Sequence, residues 1–289
     1  MIKGWNKADP LTEKKLLVEV DIPELLVMEA RKHGTSEKDK ALADWTLIAF
    51  YYLLRIGEYT VKKSKNYSKQ TRQFKMRDVV FFYKSECGKI CKLRRDATDA
   101  EILAATSASL KLDNQKNGHK GVCVHHHANG DDYLCPVKAL ARRYIHIRRN
   151  GGDWRKSLDT WLSACYEEGM RDDISNEDVS QKLKWAAGQL DYPNARGIPL
   201  QCVDTHSLRG GGANALSLAG YSDREIQKMG RWKGATFKEY IREELHCFSE
   251  GMSSSMKKLF HFVNVSGGAY HDVTNRIMGM SDTSSTAAA

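Results

Sequence analysis

One β-hairpin pattern interrupts a chain whose other periodic segments are helical. Residues 109–112 and 122–125 lie on either side of Asn117-Gly118, a dipeptide that favours the two-residue turn of a hairpin. Residues 79–83 are β-branched and aromatic, which predicts a further strand. A few strands among many helices predict an α+β fold that is mainly α-helical and contains one small antiparallel sheet.

The longest helix is predicted over residues 38–54, because apolar side chains recur there at the 3.6-residue spacing of one helix face. This helix leads directly into Arg55. Residues 21–24 predict an earlier helix start. Pro136 is placed near the first turn of another helix, where a missing N–H is tolerated.

Four more helices are predicted after residue 174. The first two cover residues 175–190 and 206–219. Ser222 and Thr236 each stand three residues before a Glu, and this capping-box pattern predicts two further helix starts. The last of these helices carries Tyr240 in its early turns.

The positive charge of the chain is concentrated in one segment. The 289 residues contain 45 Lys and Arg and 36 Asp and Glu, which gives a formal net charge of +9. Between Lys62 and Arg95 there are 12 basic and only 2 acidic residues, so the rest of the chain is close to neutral. This distribution favours contacts with phosphates of a polyanionic partner. A solvated loop is the alternative interpretation of the same run.

Several classes of protein are not expected. No run of about 18 apolar residues predicts a membrane helix, and residues 1–7 lack the apolar core of a secretory signal. Seven scattered cysteines, an odd number, predict reduced thiols in an intracellular protein, nuclear if the source is a eukaryote. Cys123, Cys135 and the histidines at 125–127 raise the possibility of zinc, but the spacing lacks a second ligand pair. We therefore expect no metal and no cofactor.

Residues suited to phosphoryl chemistry occur in five separate motifs. They are Arg55-x-x-Glu58, Lys116 in the predicted hairpin, His206-x-x-Arg209, Gly230-Arg231-Trp232 and Tyr240. Two arginines, a lysine, a histidine and a tyrosine are what transesterification at a phosphodiester needs in the absence of a metal. Structural roles are also open: Tyr240, His206 and Trp232 can be core residues, and Arg55 with Glu58 can form a plain helical ion pair.

In this order, the motifs resemble those of the tyrosine recombinases, the phage-integrase family, over roughly residues 40 to 245. The Gly-Arg-Trp…Tyr version resembles recombinases of eukaryotic mobile elements. The resemblance implies a tyrosine recombinase-like catalytic domain over residues 37–250. Residues 1–36 would then be an N-terminal extension too short for the family's second DNA-binding domain, and residues 251–289 a partly disordered tail.

The resemblance also implies a role for each motif. Tyr240 would attack the scissile phosphorus to form a 3′-phosphotyrosyl link, and Lys116 would protonate the leaving 5′-oxygen. Arg55 and Arg209 would bind the non-bridging oxygens, since a guanidinium matches phosphate geometry. His206 would assist proton transfer at the tyrosine.

Two further residues complete the implied site. Trp232 would donate its indole N–H to a phosphate oxygen, and Glu58 would orient Arg55 or His206. In many family members the His or Trp stands nine residues before the tyrosine; here Arg231 holds that place and Trp232 stands eight before it. Either residue is therefore a candidate for the last phosphate ligand. The general acid is similarly open between Lys116 and a neighbouring lysine.

The implied partner is double-stranded DNA, bound by a homo-oligomer that forms a tetramer on two duplexes. The expected DNA-binding residues are Lys62, Lys63, Lys65, Lys69, Arg72 and Arg231. Two alternatives remain at this point. The chain is a DNA-binding relic that has lost catalysis, or it is a type IB topoisomerase, which uses the same set of side chains.

Overall fold

The computed structural model describes residues 16–61, 71–113 and 121–239. These residues belong to one compact unit, which spans Met1–Arg242. The helices of the described residues are α1 Asp21–Glu29, α2 Glu37–Tyr51, α3 Ile56–Tyr59, α4 Asp99–Leu103, α5 Pro136–Asn150, α6 Trp154–Ser157, α7 Asn176–Gln189, α8 Tyr192–Arg196, α9 Thr205–Leu218 and α10 Asp223–Gly230. The strands are β1 Val79–Lys84, β2 Ile90–Lys92, β3 Ser107–Leu112, β4 Val122–His127, β5 Ala164–Glu167 and β6 Met170–Asp173. The fold is mainly α-helical with a small antiparallel sheet, as the sequence predicts.

Helix α2 lies at the centre of the core. Every residue from Ala41 to Phe50 is buried, because α1, α5, α9 and β5 pack around this helix. Such a helix needs apolar side chains on all its faces. Its N-terminus is fixed by Ser36, whose hydroxyl accepts a hydrogen bond from the amide of Asp39. Residues before α2 belong to the same core, since Val18, Ile22 and Leu26 are also buried in it.

Helix α2 ends at Tyr51, three residues earlier than predicted. Leu53 adopts a left-handed backbone conformation with φ of 49°, which a helix cannot continue through. This conformation is rare for a residue with a branched side chain. Leu53 is therefore a point where the surrounding structure imposes the backbone geometry, and it turns the chain towards Arg55.

The main sheet has the strand order β2-β1-β3-β4, and all its neighbouring strands are antiparallel. Strands β3 and β4 pair in the register that joins Leu110 to Val124, which confirms the predicted hairpin pairing. The turn with Asn117-Gly118 and Lys116 lies outside the described residues. A second hairpin, β5–β6, was not predicted, because its strands have four residues each and its turn is Glu168-Gly169.

Several predicted helix boundaries are confirmed. Pro136 occupies the first turn of α5, and Ser222 forms a capping box with Glu225 at the start of α10. Helix α9 is followed by Gly220 with φ of 85°, the left-handed residue that commonly ends a helix. Thr236, where the sequence predicts the start of the last helix, lies within a short 3₁₀ segment, Ala235–Glu239, and the described residues end there.

Across the described ranges, no helix combines the length and the apolar character that a membrane crossing requires.

Candidate active site

The C-terminus of α2 presents a row of backbone carbonyls to the interior. The last carbonyls of a helix lack partners within it and carry partial negative charge. Here the carbonyls of three consecutive residues, Tyr51 to Leu53, each accept a hydrogen bond from a histidine or arginine side chain. Nε2 of His126 donates to the carbonyl of Tyr51 at 2.6 Å, and Nη1 of Arg231 donates to that of Tyr52 at 3.3 Å. The next carbonyl, that of Leu53, accepts from two arginines.

Arg209 is the first of these two arginines. It lies in the first half of α9, and only 4% of it is exposed. Its guanidinium donates to the carbonyl of Leu53 at 2.9 Å and to the carbonyl of Gly230. The same guanidinium lies over the indole ring of Trp232, 4.3 Å from the ring centre. Two backbone carbonyls and one aromatic ring therefore hold the Arg209 side chain in one orientation.

Gly230 allows this arrangement because it has no side chain. A Cβ at this position would overlap the ring of Trp232. The glycine therefore lets the indole fold back over the end of α10 and cover Arg209. Trp232 is half-buried and also packs against Phe237, with 5.9 Å between the ring centres. Phe237 belongs to the 3₁₀ segment that leads to Tyr240.

Arg231 is the second arginine, and the structure places it in the interior. The residue follows α10 in a left-handed conformation with φ of 59°, and only 4% of its side chain is exposed. One Nη donates to the carbonyl of Leu53 at 3.1 Å and to Oε2 of Glu58 at 3.0 Å. Burial lowers the pKa of the Arg231 guanidinium from its usual value, and the Glu58 carboxylate opposes that shift. In this geometry the guanidinium of Arg231 is bound to Glu58 in the interior and is not exposed to solvent.

Glu58 is fully buried and connects two of the arginines. Its carboxylate accepts from the backbone amide of Arg55 at 2.9 Å, as a helix capping residue does. The other oxygen lies 3.4 Å from Nη1 of Arg55. Glu58 therefore orients Arg55, one of the two options that the sequence left open, and its second partner is Arg231 instead of His206.

His206 and Arg209 are three residues apart on α9, yet their side chains have different surroundings. The His206 side chain is 65% exposed, whereas Arg209 points into the core. The backbone amide of His206 donates to the N-cap residue Asp204 at 2.7 Å. Nδ1 of His206 lies 3.7 Å from the same carboxylate. The imidazole is thus at the surface, whereas the arginine is buried.

These contacts form a network, which we call the arginine network: Arg55, Glu58, Arg209, Arg231 and Trp232. Its members come from three segments that are far apart in the sequence and meet at the C-terminus of α2. Two of its three guanidinium groups contact the Glu58 carboxylate, and the third, that of Arg209, contacts backbone carbonyls. The network therefore has a formal charge of +2. A surplus of this kind favours an anion, and planar guanidinium donors match phosphate.

Other predicted site residues lie outside the described residues. They are Lys62, Lys63, Lys65, Lys69, Lys116 and Tyr240. Tyr240 directly follows the described 3₁₀ segment, whose Phe237 contacts Trp232 of the arginine network. Lys116 lies in the segment that joins β3 to β4. Their roles remain predictions.

The described part of the basic run, between Arg72 and Arg95, has many acidic or carbonyl partners. Arg72 pairs with Asp113, and Lys75 and Arg77 both pair with Asp159. Further along, Arg94 pairs with Asp96, and Arg95 donates to backbone carbonyls that include that of Val79. The three aspartates lie outside the run, so the local charge is lower than the sequence suggests.

The histidines on β4 have protein partners. His125 shares a hydrogen bond of 2.8 Å with the hydroxyl of Ser109. His126 is bound to the carbonyl of Tyr51, and burial lowers its pKa to about 4. Within the described residues, no three side chains of His, Cys, Asp or Glu are grouped so that they could hold a metal ion. The six described cysteines have free thiols.

Two of the three glycines after Arg209 serve internal packing. A Cβ on Gly211 would overlap the carbonyl oxygen of Val18, and one on Gly212 would overlap that of Phe50. Helix α9 therefore approaches α2 closely enough for Arg209 to reach the carbonyl of Leu53. These backbone contacts explain Gly211 and Gly212, although glycine weakens a helix.

Sequence reasoning missed the acceptors of the network. The carbonyls of Tyr52 and Leu53 hold Arg209 and Arg231, but any residue type carries such a carbonyl. The partner of His126 was missed for the same reason. Nothing in the sequence could have identified these acceptors, because they depend on where α2 ends.

Comparisons with known proteins give similarity at the level of structure. No protein-family model matches the chain, and neither does any curated protein. XerA recombinase has a similar structure, with a TM-score of 0.47 and 13% identity over 88% of this chain and 68% of that one. The integrase of transposon Tn1549, in complex with transposon right end DNA, has a TM-score of 0.44 and 11% identity, over 88% of this chain and 70% of that one. The same integrase in complex with circular intermediate DNA has a TM-score of 0.44 and 12% identity, over 87% of this chain and 70% of that one.

Proposed function

We propose that this protein cleaves and rejoins DNA strands through a covalent link between Tyr240 and a 3′-phosphate. One observation carries the proposal: Arg55, Arg209, Arg231 and Glu58 converge at the end of α2 with a surplus of positive charge. These residues come from the motifs whose order resembles the tyrosine recombinases. Phe237, three residues before Tyr240 in the sequence, packs against Trp232 of the same network.

The proposed reaction balances without a cofactor. The hydroxyl oxygen of Tyr240 forms a bond to the scissile phosphorus, and the bond from phosphorus to the 5′-oxygen breaks. Lys116 supplies the proton that the leaving 5′-oxygen takes up, and His206 assists removal of the tyrosine proton. Religation is the reverse reaction, and the phosphotyrosyl bond conserves the energy that it requires.

Within this proposal the arginine network stabilises the charge of the transition state. Arg55 is the network's partly exposed guanidinium, with 22% of its side chain accessible, and Glu58 fixes its orientation. Arg209 lies behind Trp232 and adds positive potential in a low-dielectric setting. Arg231 is assigned to positioning: it holds the Glu58 carboxylate, whose other partner is Arg55. Trp232 then remains the candidate for the last phosphate ligand.

The test is covalent trapping on a duplex that carries a nick next to the cleavage position. The short fragment that carries the free 5′-hydroxyl diffuses away after cleavage, so an active enzyme stays attached to DNA. The Tyr240→Phe variant should lose all covalent product, because only the nucleophilic oxygen is removed. Its affinity for the duplex should stay nearly unchanged. Tyr221→Phe is the matched control, since Tyr221 is an exposed tyrosine outside the network, and it should be trapped like the parent.

A second candidate function is DNA binding without cleavage. It is favoured by the burial of Arg209, whose guanidinium contacts the carbonyls of Leu53 and Gly230. The same trapping experiment separates the two functions. Duplex binding by the parent without any covalent product would support the second function and reject the first. Covalent product that persists in Tyr240→Phe would assign the nucleophile to another residue.

A further inference from the structure

A groove beside the arginine network is lined mainly by cations. Its volume is about 440 Å³, and its lining includes Arg224, Lys228, Trp232, Lys233 and Val122. Arg231 contributes to the same wall, and no carboxylate of the described residues lines the groove. We call this feature the basic groove. It lies between α10 and the start of β4, the strand that follows the segment with Lys116.

The exposed cations of the basic groove have no ion-pair partner among the described residues. Arg224, Lys228 and Lys233 are exposed. The carboxylates nearest to them in sequence have other partners. Asp223 pairs with Lys238 at 2.7 Å, and Glu225 caps the helix at Ser222. The positive charge of these three exposed cations is therefore not compensated by a carboxylate of the described residues, unlike much of the charge of the run between Arg72 and Arg95.

The spacing of these cations suits a polymer of phosphates. Arg224 and Lys228 are four residues apart on α10, which separates them by about 6 Å along the helix axis. Phosphates on one strand of duplex DNA recur about every 3.4 Å along its axis. The two side chains together therefore span about two phosphates.

We propose that the basic groove binds the phosphodiester backbone of duplex DNA next to the reacting phosphate. The inference rests on the proposed function and adds Arg224, Lys228 and Lys233 to it. Trp232 connects the two sites, since its side chain lines the groove and its ring also covers Arg209. A strand that reaches the arginine network then continues along α10.

The groove is expected to control affinity and not the chemical step. Contacts to phosphates position a protein on DNA without reading its sequence, and they release counterions on binding. Removal of groove cations should therefore weaken binding to all duplexes alike. It should also make the dependence of affinity on salt shallower, by about 0.9 in the log–log slope for each phosphate that the protein no longer neutralises.

The experiment is a salt titration of binding to a labelled duplex of arbitrary sequence, with the full chain. The test protein is the double variant Arg224→Ala, Lys228→Ala. Its matched control is Lys156→Ala, Lys184→Ala, which removes the same charge from two exposed lysines outside the groove. At about 0.1 M salt the groove variant should bind tenfold or more weakly and show the shallower slope. The control variant should behave like the parent, and circular dichroism melts check that all three proteins fold.

An unchanged slope in the groove variant overturns the inference, as does an equal decrease of affinity in the control variant. Covalent trapping on the nicked duplex reports separately on the proposed function. If the parent is trapped and the groove variant binds like the parent, only the groove assignment fails. If the slope changes as expected and the parent is never trapped, the groove assignment stands and the cleavage proposal fails.

Discussion

Two carboxylates in this protein each lie between two cations, but their surroundings are opposite. Glu58 is fully buried between Arg55 and Arg231. The side chain of Asp159 is 64% exposed and pairs with Lys75 and Arg77. In the interior, both the attraction between charges and the cost of removing them from water are large. At the surface, water and salt reduce both quantities.

The difference shows that a count of charges along the sequence is a poor guide to where charge acts. Residues 62–95 hold most of the basic surplus, yet Asp96, Asp113 and Asp159 bind part of it. The arginine network has only three cations, drawn from distant segments. Two of these cations are held by a single buried carboxylate and Arg209 is held by two backbone carbonyls, so their orientation is fixed. The Glu58 cluster should therefore set the geometry of the site, and the Asp159 cluster should affect the fold only slightly.

The largest effect on stability is expected when the buried carboxylate, that of Glu58, is neutralised. Glu58→Gln keeps the shape of the side chain but leaves Arg231 without a counter-charge in the interior. We expect a decrease of about 3–5 kcal/mol in the free energy of unfolding. Asp159→Asn is the matched surface change, and it should cost less than about 1 kcal/mol. Urea unfolding of both variants measures the difference, and equal decreases would contradict the contrast between the two clusters.

The next effect concerns cleavage. Arg209→Lys keeps the positive charge but removes the planar fork that contacts two carbonyls and the indole ring. The rate of covalent trapping should fall by a factor of about 100 or more, because lysine cannot make both carbonyl contacts and the ring contact that hold the charge in place. Arg77→Lys, at the surface, should retain the parent rate. If Arg209→Lys cleaves nearly as fast as the parent, Arg209 serves packing alone.

A smaller effect is expected from acid. Burial holds the pKa of His126 at about 4 in the folded protein, below the usual value of about 6.5. Between these values the unfolded chain binds a proton that the folded chain does not, so stability present above about pH 6.5 decreases as the pH falls towards about 4. The decrease amounts to about 3 kcal/mol at about 1.4 kcal/mol per pH unit. His146, whose pKa burial also lowers to about 4, adds to the same trend.

The His126→Gln variant should flatten part of this acid dependence. Glutamine can still donate to the carbonyl of Tyr51 but does not titrate. His33→Gln, at an exposed position, is the control. Chemical unfolding of each protein at several pH values between about 4 and 7 gives the profiles. A profile for His126→Gln as steep as that of the parent would place the acid sensitivity elsewhere.

The smallest effect on the chemical step is expected in the basic run. Replacing Lys62, Lys63, Lys65 and Lys69 with Ala should weaken duplex binding at low salt and make the salt dependence shallower. Cleavage at saturating DNA should change by less than about twofold, because phosphate contacts of this kind position the protein before the chemistry. Binding curves that coincide with the parent at every salt concentration would identify the run as a solvated loop.

The sequence by itself determined the helices with clear end signals and the pairing of the main hairpin. Ser222 with Glu225, Pro136 and Gly220 act within a few residues of themselves, so their effect is visible locally. The contact between Arg55 and Glu58 was predictable for the same reason, because four consecutive residues complete it. The β5–β6 hairpin was missed, since four-residue strands with polar residues carry little periodicity.

Only the tertiary structure decided which cations belong to the site. Arg231 could have faced solvent, but the left-handed turn after α10 directs it to Glu58, 173 residues away in the sequence. Arg209 is held by the carbonyl of Leu53, which is accessible to it because α2 ends early and Gly212 lets α9 approach. Backbone carbonyls have no signature in the sequence. Their position depends on where a helix ends and which helices pack against it, and long-range packing determines both.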